Sequence, residues 1–165
     1  MSPPVYLDTN IFVYLKEGFG DVPSRLVDLL AASVKAAEPR LATCEITLAE
    51  LLPKPYAESH DQLIEQYENW IQPSDWLHAV PADRDVLRAA AILRSSYRSV
   101  KLPDAIHLAA AIGIGCERFL TADEGLKGEY RLSVTRYGIP RGSPSVTIIR
   151  PDAGTLSQLV SEFSI

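Results

Sequence analysis

The sequence predicts an α/β domain built on a mainly parallel sheet. Short apolar β runs alternate along the whole chain with segments of helical period, and each run is too short to be a helix by itself. Acidic residues stand at or just past the ends of two of these runs, where ligands gather in open parallel sheets. No internal repeat, low-complexity tract or long linker interrupts the pattern, so residues 1–165 are read as one domain.

The elements follow in order. Val5-Tyr6-Leu7 is the first strand, and Asp8-Thr9-Asn10 supplies helix-capping types before Ile11-Phe12-Val13-Tyr14-Leu15. A helix from about Pro23 to Glu38 carries Leu26, Leu29, Leu30, Ala32, Val34 and Ala37, and Pro39 stops it. Arg40 to Thr43 is a strand. Ile46 to Leu52 is a helix stopped by Pro53 and Pro55, and His60 to Ile71 is another. Trp76 to Val80 is a strand. Asp83 caps a long helix to about Val100, striped by Val86, Ala90, Leu93, Tyr97 and Val100. Pro103 suits the first turn of a helix running through Asp104 to about Ile112. Arg118 to Thr121 is a strand, Asp123 to Lys127 a helical turn, Val146 to Ile149 a last strand and Leu156 to Phe163 a terminal helix. Gly138 to Ser145 is read as a surface loop.

Composition narrows the class. The chain is 47% apolar and 22% charged, which excludes a disordered protein. No apolar run approaches the roughly 20 residues of a membrane-spanning helix. The start lacks a basic region followed by an apolar stretch, so no secretory signal is read there. Cys44 and Cys116 lie in apolar surroundings and read as buried free thiols. Together these features point to a reducing cytoplasm. The formal net charge of −5 argues against phosphate binding only if the acids are evenly spread. Two divalent cations add four positive charges, taking −5 to −1, so the placement of the acids matters more than their sum.

Asp8, Glu50, Asp104 and Asp123 are the acids that this fold can bring to one rim. Like charges gathered there repel one another, and a hard divalent cation with oxygen ligands removes that penalty. Read singly, Asp8 serves equally as a helix cap, Glu50 as a solvated helix residue, Asp104 as a first-turn acid and Asp123 as a turn residue. Glu124 is a rival to Asp123.

The residues around the acids decide between these readings. Val5-Tyr6-Leu7-Asp8-Thr9-Asn10, Ile46-Thr47-Leu48-Ala49-Glu50-Leu51, Leu102-Pro103-Asp104-Ala105-Ile106-His107-Leu108-Ala109-Ala110-Ala111 and Phe119-Leu120-Thr121-Ala122-Asp123 stand in this order across most of the chain. They resemble the four acid-bearing segments of the PIN-domain nucleases, especially the VapC-type toxins of toxin–antitoxin pairs. The resemblance implies a Rossmann-like α/β/α sandwich and metal-dependent cleavage of RNA with Mg2+ or Mn2+. It gives Asp8, Glu50, Asp104 and Asp123 the catalytic and metal-binding roles and makes Asn10 and Thr121 supporting residues. It also implies a VapB-type antitoxin partner and a homodimer. The proline-rich stretch Lys54-Pro55-Tyr56 and the arginine-bearing segment from Glu129 to Pro144 depart from the family pattern.

The resemblance places no catalytic histidine at His107, which reads as a structural residue on a helix of alanines and leucines although it lies one turn past Asp104. His60 and His78 read as surface, and Trp70 and Trp76 as core or interface. Arg84, Arg88, Arg94 and Arg98 project opposite the apolar stripe of their helix. They form either a solvated face or a row of RNA-backbone contacts, with Arg88, Arg94 and Arg98 the candidates. A haloacid-dehalogenase phosphatase needs a second aspartate where Asn10 stands, and a dinucleotide enzyme needs a glycine-rich turn after Leu7; neither is present. Two alternatives remain open: a PIN ribonuclease with no antitoxin, and a non-catalytic PIN fold used for protein binding.

Overall fold

The first strand, β1 (Val5–Leu7), has no exposed surface on any of its three residues. A strand sealed on both faces reads as an unbroken apolar run rather than an alternating one. Its neighbour β2 (Leu41–Cys44) is buried throughout and β4 (Arg118–Leu120) nearly so, while β3 (Leu77–Val80) and, further along, β8 (Ser145–Ile149) expose His78 and Thr147. A computed structural model describes residues 2–165. In it these five strands are parallel, and β5 (Glu129–Arg131) adds an antiparallel edge, giving the order β3-β2-β1-β4-β8-β5.

Helices cover both faces, as the α/β/α expectation requires. They are α1 (Thr9–Glu17), α2 (Asp21–Val34), α3 (Ile46–Leu51), α4 (Pro53–Ala57), α5 (Asp61–Trp70), α6 (Arg84–Ser96), α7 (Leu102–Ile114) and α8 (Ala153–Phe163). Val5, Leu7, Leu41 and Leu120 join one core with Ile11, Phe12, Leu26, Leu29, Tyr67 and Leu156. Tyr6, Ala42, Cys44 and Phe119 point the other way and join Ala90, Leu93, Leu108 and Ala109. The split between consecutive strand residues is the two-residue period of a strand. Trp70 and Trp76 pack partly buried against the first core, while His60 and His78 are exposed. Both cysteines are free and buried, and burial pushes the Cys116 thiol up to about 12. Among the described residues no helix is long and apolar enough to cross a membrane.

Several boundaries differ from the sequence reading. α2 stops at Val34 rather than Glu38, because buried Ser33 donates its Oγ to Trp76 O at 2.8 Å and accepts from Arg40 N at 3.2 Å, turning the chain into β2. α6 stops at Ser96 rather than Val100; Tyr97 leaves the helical region and its hydroxyl accepts Arg131 N at 2.9 Å. α3 ends at Leu51, just before Pro53 as expected, but Pro53 also opens a further helix, since a first-turn proline lacks only an N–H that has no helical partner. The stretch after Asp123 is a hydrogen-bonded turn, Leu126 N to Asp123 O, and not helical. The expected loop from Gly138 holds half of a two-stranded ribbon, β6 (Thr135–Arg136) with β7 (Ile139–Pro140).

Topology sets the site. The chain runs outward from β1 through β2 to β3, then returns to β4 on the other side of β1. Ligand crevices open where the strand order reverses in this way, beyond the carboxyl ends of the strands. Gly115, with φ of 90°, closes α7 and lets the chain turn into β4. Asp8 N donates to Leu120 O at 3.1 Å, so Asp8 and Thr121 leave their strands side by side.

Candidate metal centre

Asp8 caps α1 and is 5% exposed. Its Oδ1 accepts Thr9 N at 2.8 Å; its Oδ2 accepts Thr121 Oγ1 at 2.7 Å and Asn10 Nδ2 at 3.1 Å. Thr121 Oγ1 also accepts Asn10 Nδ2 and Asp123 N, both at 3.0 Å. Asn10 Oδ1 accepts Ala122 N at 3.0 Å. Asn10 and Thr121 therefore clamp Asp8 and at the same time shape the turn that carries Asp123. This places Asp8 deeper than an acid on a solvent-facing rim.

Asp123 is exposed, with Oδ1 accepting Gly125 N at 2.8 Å. Glu50 projects from α3, and its Oε1 accepts Thr9 Oγ1 at 2.8 Å and meets His107 Nε2 at 2.5 Å. Burial opposes the Glu50 charge, but the hydrogen bond and charge of His107 and the hydrogen bond from Thr9 outweigh it, and the carboxyl is held below its usual range. Asp104 is half-buried in the first turn of α7. Burial, then repulsion from Asp8 and Asp123, then from Glu50, push its carboxyl up to about 6 against the pull of His107. All four acids thus share one electrostatic neighbourhood.

The donor set is carboxylate oxygen throughout, which suits a hard divalent cation. The elevated Asp104 reflects burial first and, after it, the negative charge of Asp8, Asp123 and Glu50 beside it. Among the described residues no three acidic, histidine or cysteine side chains converge into a ready coordination sphere. Glu50 is drawn instead toward His107 and Thr9. Beside the acids, a depression of about 570 Å3 is lined by Asn10, Val13, Tyr14, Ala122 and Asp123. A more apolar groove of about 510 Å3, lined in part by Val80, Val86, Ala89 and Ile112, includes none of the four acids.

Arg84, Arg88 and Arg94 lie exposed on α6, but the row does not continue along the helix to its fourth member. Arg98 lies beyond the end of α6, Arg88 pairs with Asp85 at 3.0 Å, and Arg94 Nε donates to Val100 O at 3.4 Å. His107, read from the sequence as structural, touches Glu50 and lies 3.7 Å from Asp8. The signals available were its place one turn past Asp104 and its polarity inside an otherwise apolar run, Ala105 to Ile112.

Residues 5–128 match the family described as the PIN domain. Among solved structures, the chain is similar to one described as a toxin–antitoxin complex from Klebsiella pneumoniae, at 24% identity and a TM-score of 0.53, over 72% of this chain and 86% of that one. It is also similar to VapBC2 from Rickettsia felis bound to a DNA fragment from their promoter, at 20% identity and a TM-score of 0.54, over 72% of this chain and 87% of that one. No curated protein matches the chain.

Proposed function

The chain belongs to the PIN-domain family, and we propose that it is a metal-dependent endoribonuclease, the toxin of a toxin–antitoxin pair. The observation that carries the catalytic reading is Asp104, whose carboxyl is pushed up to about 6 by burial and by the neighbouring charges of Asp8, Asp123 and Glu50. A fold without chemistry to perform has no use for four carboxylates set against one another, which speaks against the non-catalytic alternative.

In this reading Asp8, Glu50, Asp104 and Asp123 hold Mg2+ or Mn2+. A bound divalent cation supplies polarisation of the phosphoryl oxygen and a water of lowered pKa. The chain's own contribution is placement. Asn10 and Thr121 fix Asp8, the Thr121 hydroxyl orders the turn of Asp123, and the start of α7 delivers Asp104. Pre-set ligands of this kind lower the reorganisation needed when substrate arrives. Purified protein should cut RNA with Mg2+ or Mn2+ and stop with EDTA; metal-independent cutting would rule the reading out.

Likeness to toxin–antitoxin complexes supports the partner assignment. An antitoxin that places an Arg or Lys among the four carboxylates would neutralise them as a cation does. The test is a neighbouring small reading frame whose product binds this chain and relieves growth arrest on overexpression. Harmless overexpression with no such neighbour selects the unpaired ribonuclease instead. A homodimer in the cytoplasm completes the proposal, with light scattering as its check.

A further inference from the structure

His107 sits mid-way along α7 with no exposed surface, among Ala105, Ile106, Leu108 and Ala109, all buried. A residue that only filled space here would be apolar, because a buried imidazole is costly unless both ring nitrogens are hydrogen-bonded. Both are. Nδ1 meets the Tyr6 hydroxyl at 2.7 Å; Nε2 meets Glu50 Oε1 at 2.5 Å and Thr9 Oγ1 at 3.2 Å. Tyr6 is itself sealed in the core and stacks on Phe119, with ring centroids 4.9 Å apart. A chain of three side chains therefore runs from the centre of the sheet to the acids.

Its polarity follows from donor inventory. An ionised carboxylate only accepts, so the proton between His107 and Glu50 is on Nε2 in either charge state of the ring. The Tyr6 hydroxyl, sealed in the core, lies within hydrogen-bond distance of Nδ1, which in the neutral ring protonated at Nε2 only accepts, so the phenol donates to it. Thr9 Oγ1 adds a second donor to the same Glu50 oxygen. Glu50 Oε1 is thus held twice, while Oε2 has no hydrogen-bond partner among the described residues.

We propose that His107 is a positioning residue for Glu50: its Nε2–H, with Thr9, anchors Oε1 and leaves Oε2 as the oxygen offered to a cation. The inference rests on the proposed metal reading of the four acids. It assigns Tyr6 the role of orienting the ring, as residues behind metal ligands commonly do. A histidine that merely stabilised the fold would act on metal binding whether or not Glu50 were ionisable.

The experiment measures Mn2+ binding calorimetrically, without RNA, for the full chain and for His107→Leu, His107→Gln, Glu50→Gln and the His107→Leu, Glu50→Gln pair. His107→Leu should weaken Mn2+ binding by about 10–100-fold. His107→Gln, which keeps a donor near the Nε2 position, should restore most of the loss. In the Glu50→Gln background His107→Leu should change nothing further. If His107→Leu does not fold, as circular dichroism would show, Tyr6→Phe takes its place; it frees the ring to turn and should weaken Mn2+ binding only when Glu50 is intact. Parent-like affinity in the folded variant, or an equal loss with and without the Glu50 carboxylate, overturns the proposal. Absence of Mn2+ binding by the unsubstituted chain overturns the metal reading itself, and this inference with it.

Discussion

Asp8 and Asp104 carry the same charge toward the same site, and the fold treats them in opposite ways. Asp8 is nearly sealed and accepts three hydrogen bonds, from Thr9 N, Asn10 Nδ2 and Thr121 Oγ1. Asp104 is half-buried, has no side-chain hydrogen bond among the described residues, and is pushed up to about 6. One acid is part of the scaffold, and its charge is compensated by donors before any ligand arrives. The other is set against its neighbours and gains only when a counter-charge arrives. In the proposed metal reading, fold and chemistry share Asp8; at Asp104 they are separable.

The sharpest test of that contrast is Asp8→Asn. Its amide turns an N–H toward groups that already donate, so the variant should lose cutting and also about 2–4 kcal/mol of stability. Urea unfolding measures the second effect, and a loss below about 1 kcal/mol would erase the distinction from Asp104. Asp104→Asn should abolish cutting equally, yet leave the melting temperature unchanged or raised, because it removes repulsion rather than hydrogen bonds.

The pH dependence carries the same sign. Folding raises the Asp104 carboxyl from 3.8 to about 6, so the folded chain holds that proton more tightly than the unfolded one. The resulting stabilisation is fully present below pH 3.8 and is lost as pH rises through about 6. Metal-free parent protein should lose stability relative to Asp104→Asn across that window, and Mn2+ should reverse the loss above it. Thermal melts at several pH values, with and without Mn2+, read both; identical pH profiles for the two proteins would remove Asp104 from the centre.

Smaller effects test the supports. Thr121→Val deletes the donor to Asp8 and the acceptor for Asn10 and Asp123 N, and should cost about 1–2 kcal/mol while weakening Mn2+ binding. Arg88→Gln breaks only an exposed ion pair with Asp85 and should change stability by less than about 0.5 kcal/mol. If Arg88, Arg94 and Arg98 nevertheless hold RNA phosphates, removing each should flatten the salt dependence of RNA binding by about one unit of slope. An unchanged slope makes them a solvated surface.

Much of this was legible in the chain. The central strands read as apolar runs because they are buried on both faces, and Asp8 and Asp83 cap their helices as short acceptor side chains do. Pro53 stands just past the end of α3 as read, but the helix it opens was missed, because proline forbids a helix interior yet favours a first turn. The ribbon of β6 and β7 was missed because two-residue strands leave no periodicity to count.

Local pattern and resemblance by themselves determined the layered α/β fold and nominated four acids, since capping, turn chemistry and hydrophobic period act over a few residues. Only the tertiary structure decided how unequal those acids are and drew His107 toward them. The bonds responsible join residues far apart in the chain: Asp8 to Thr121 across 113 positions, His107 to Tyr6 across 101 and to Glu50 across 57. Whether a buried polar group is satisfied depends on which strands and helices become neighbours, and no short stretch of sequence records that.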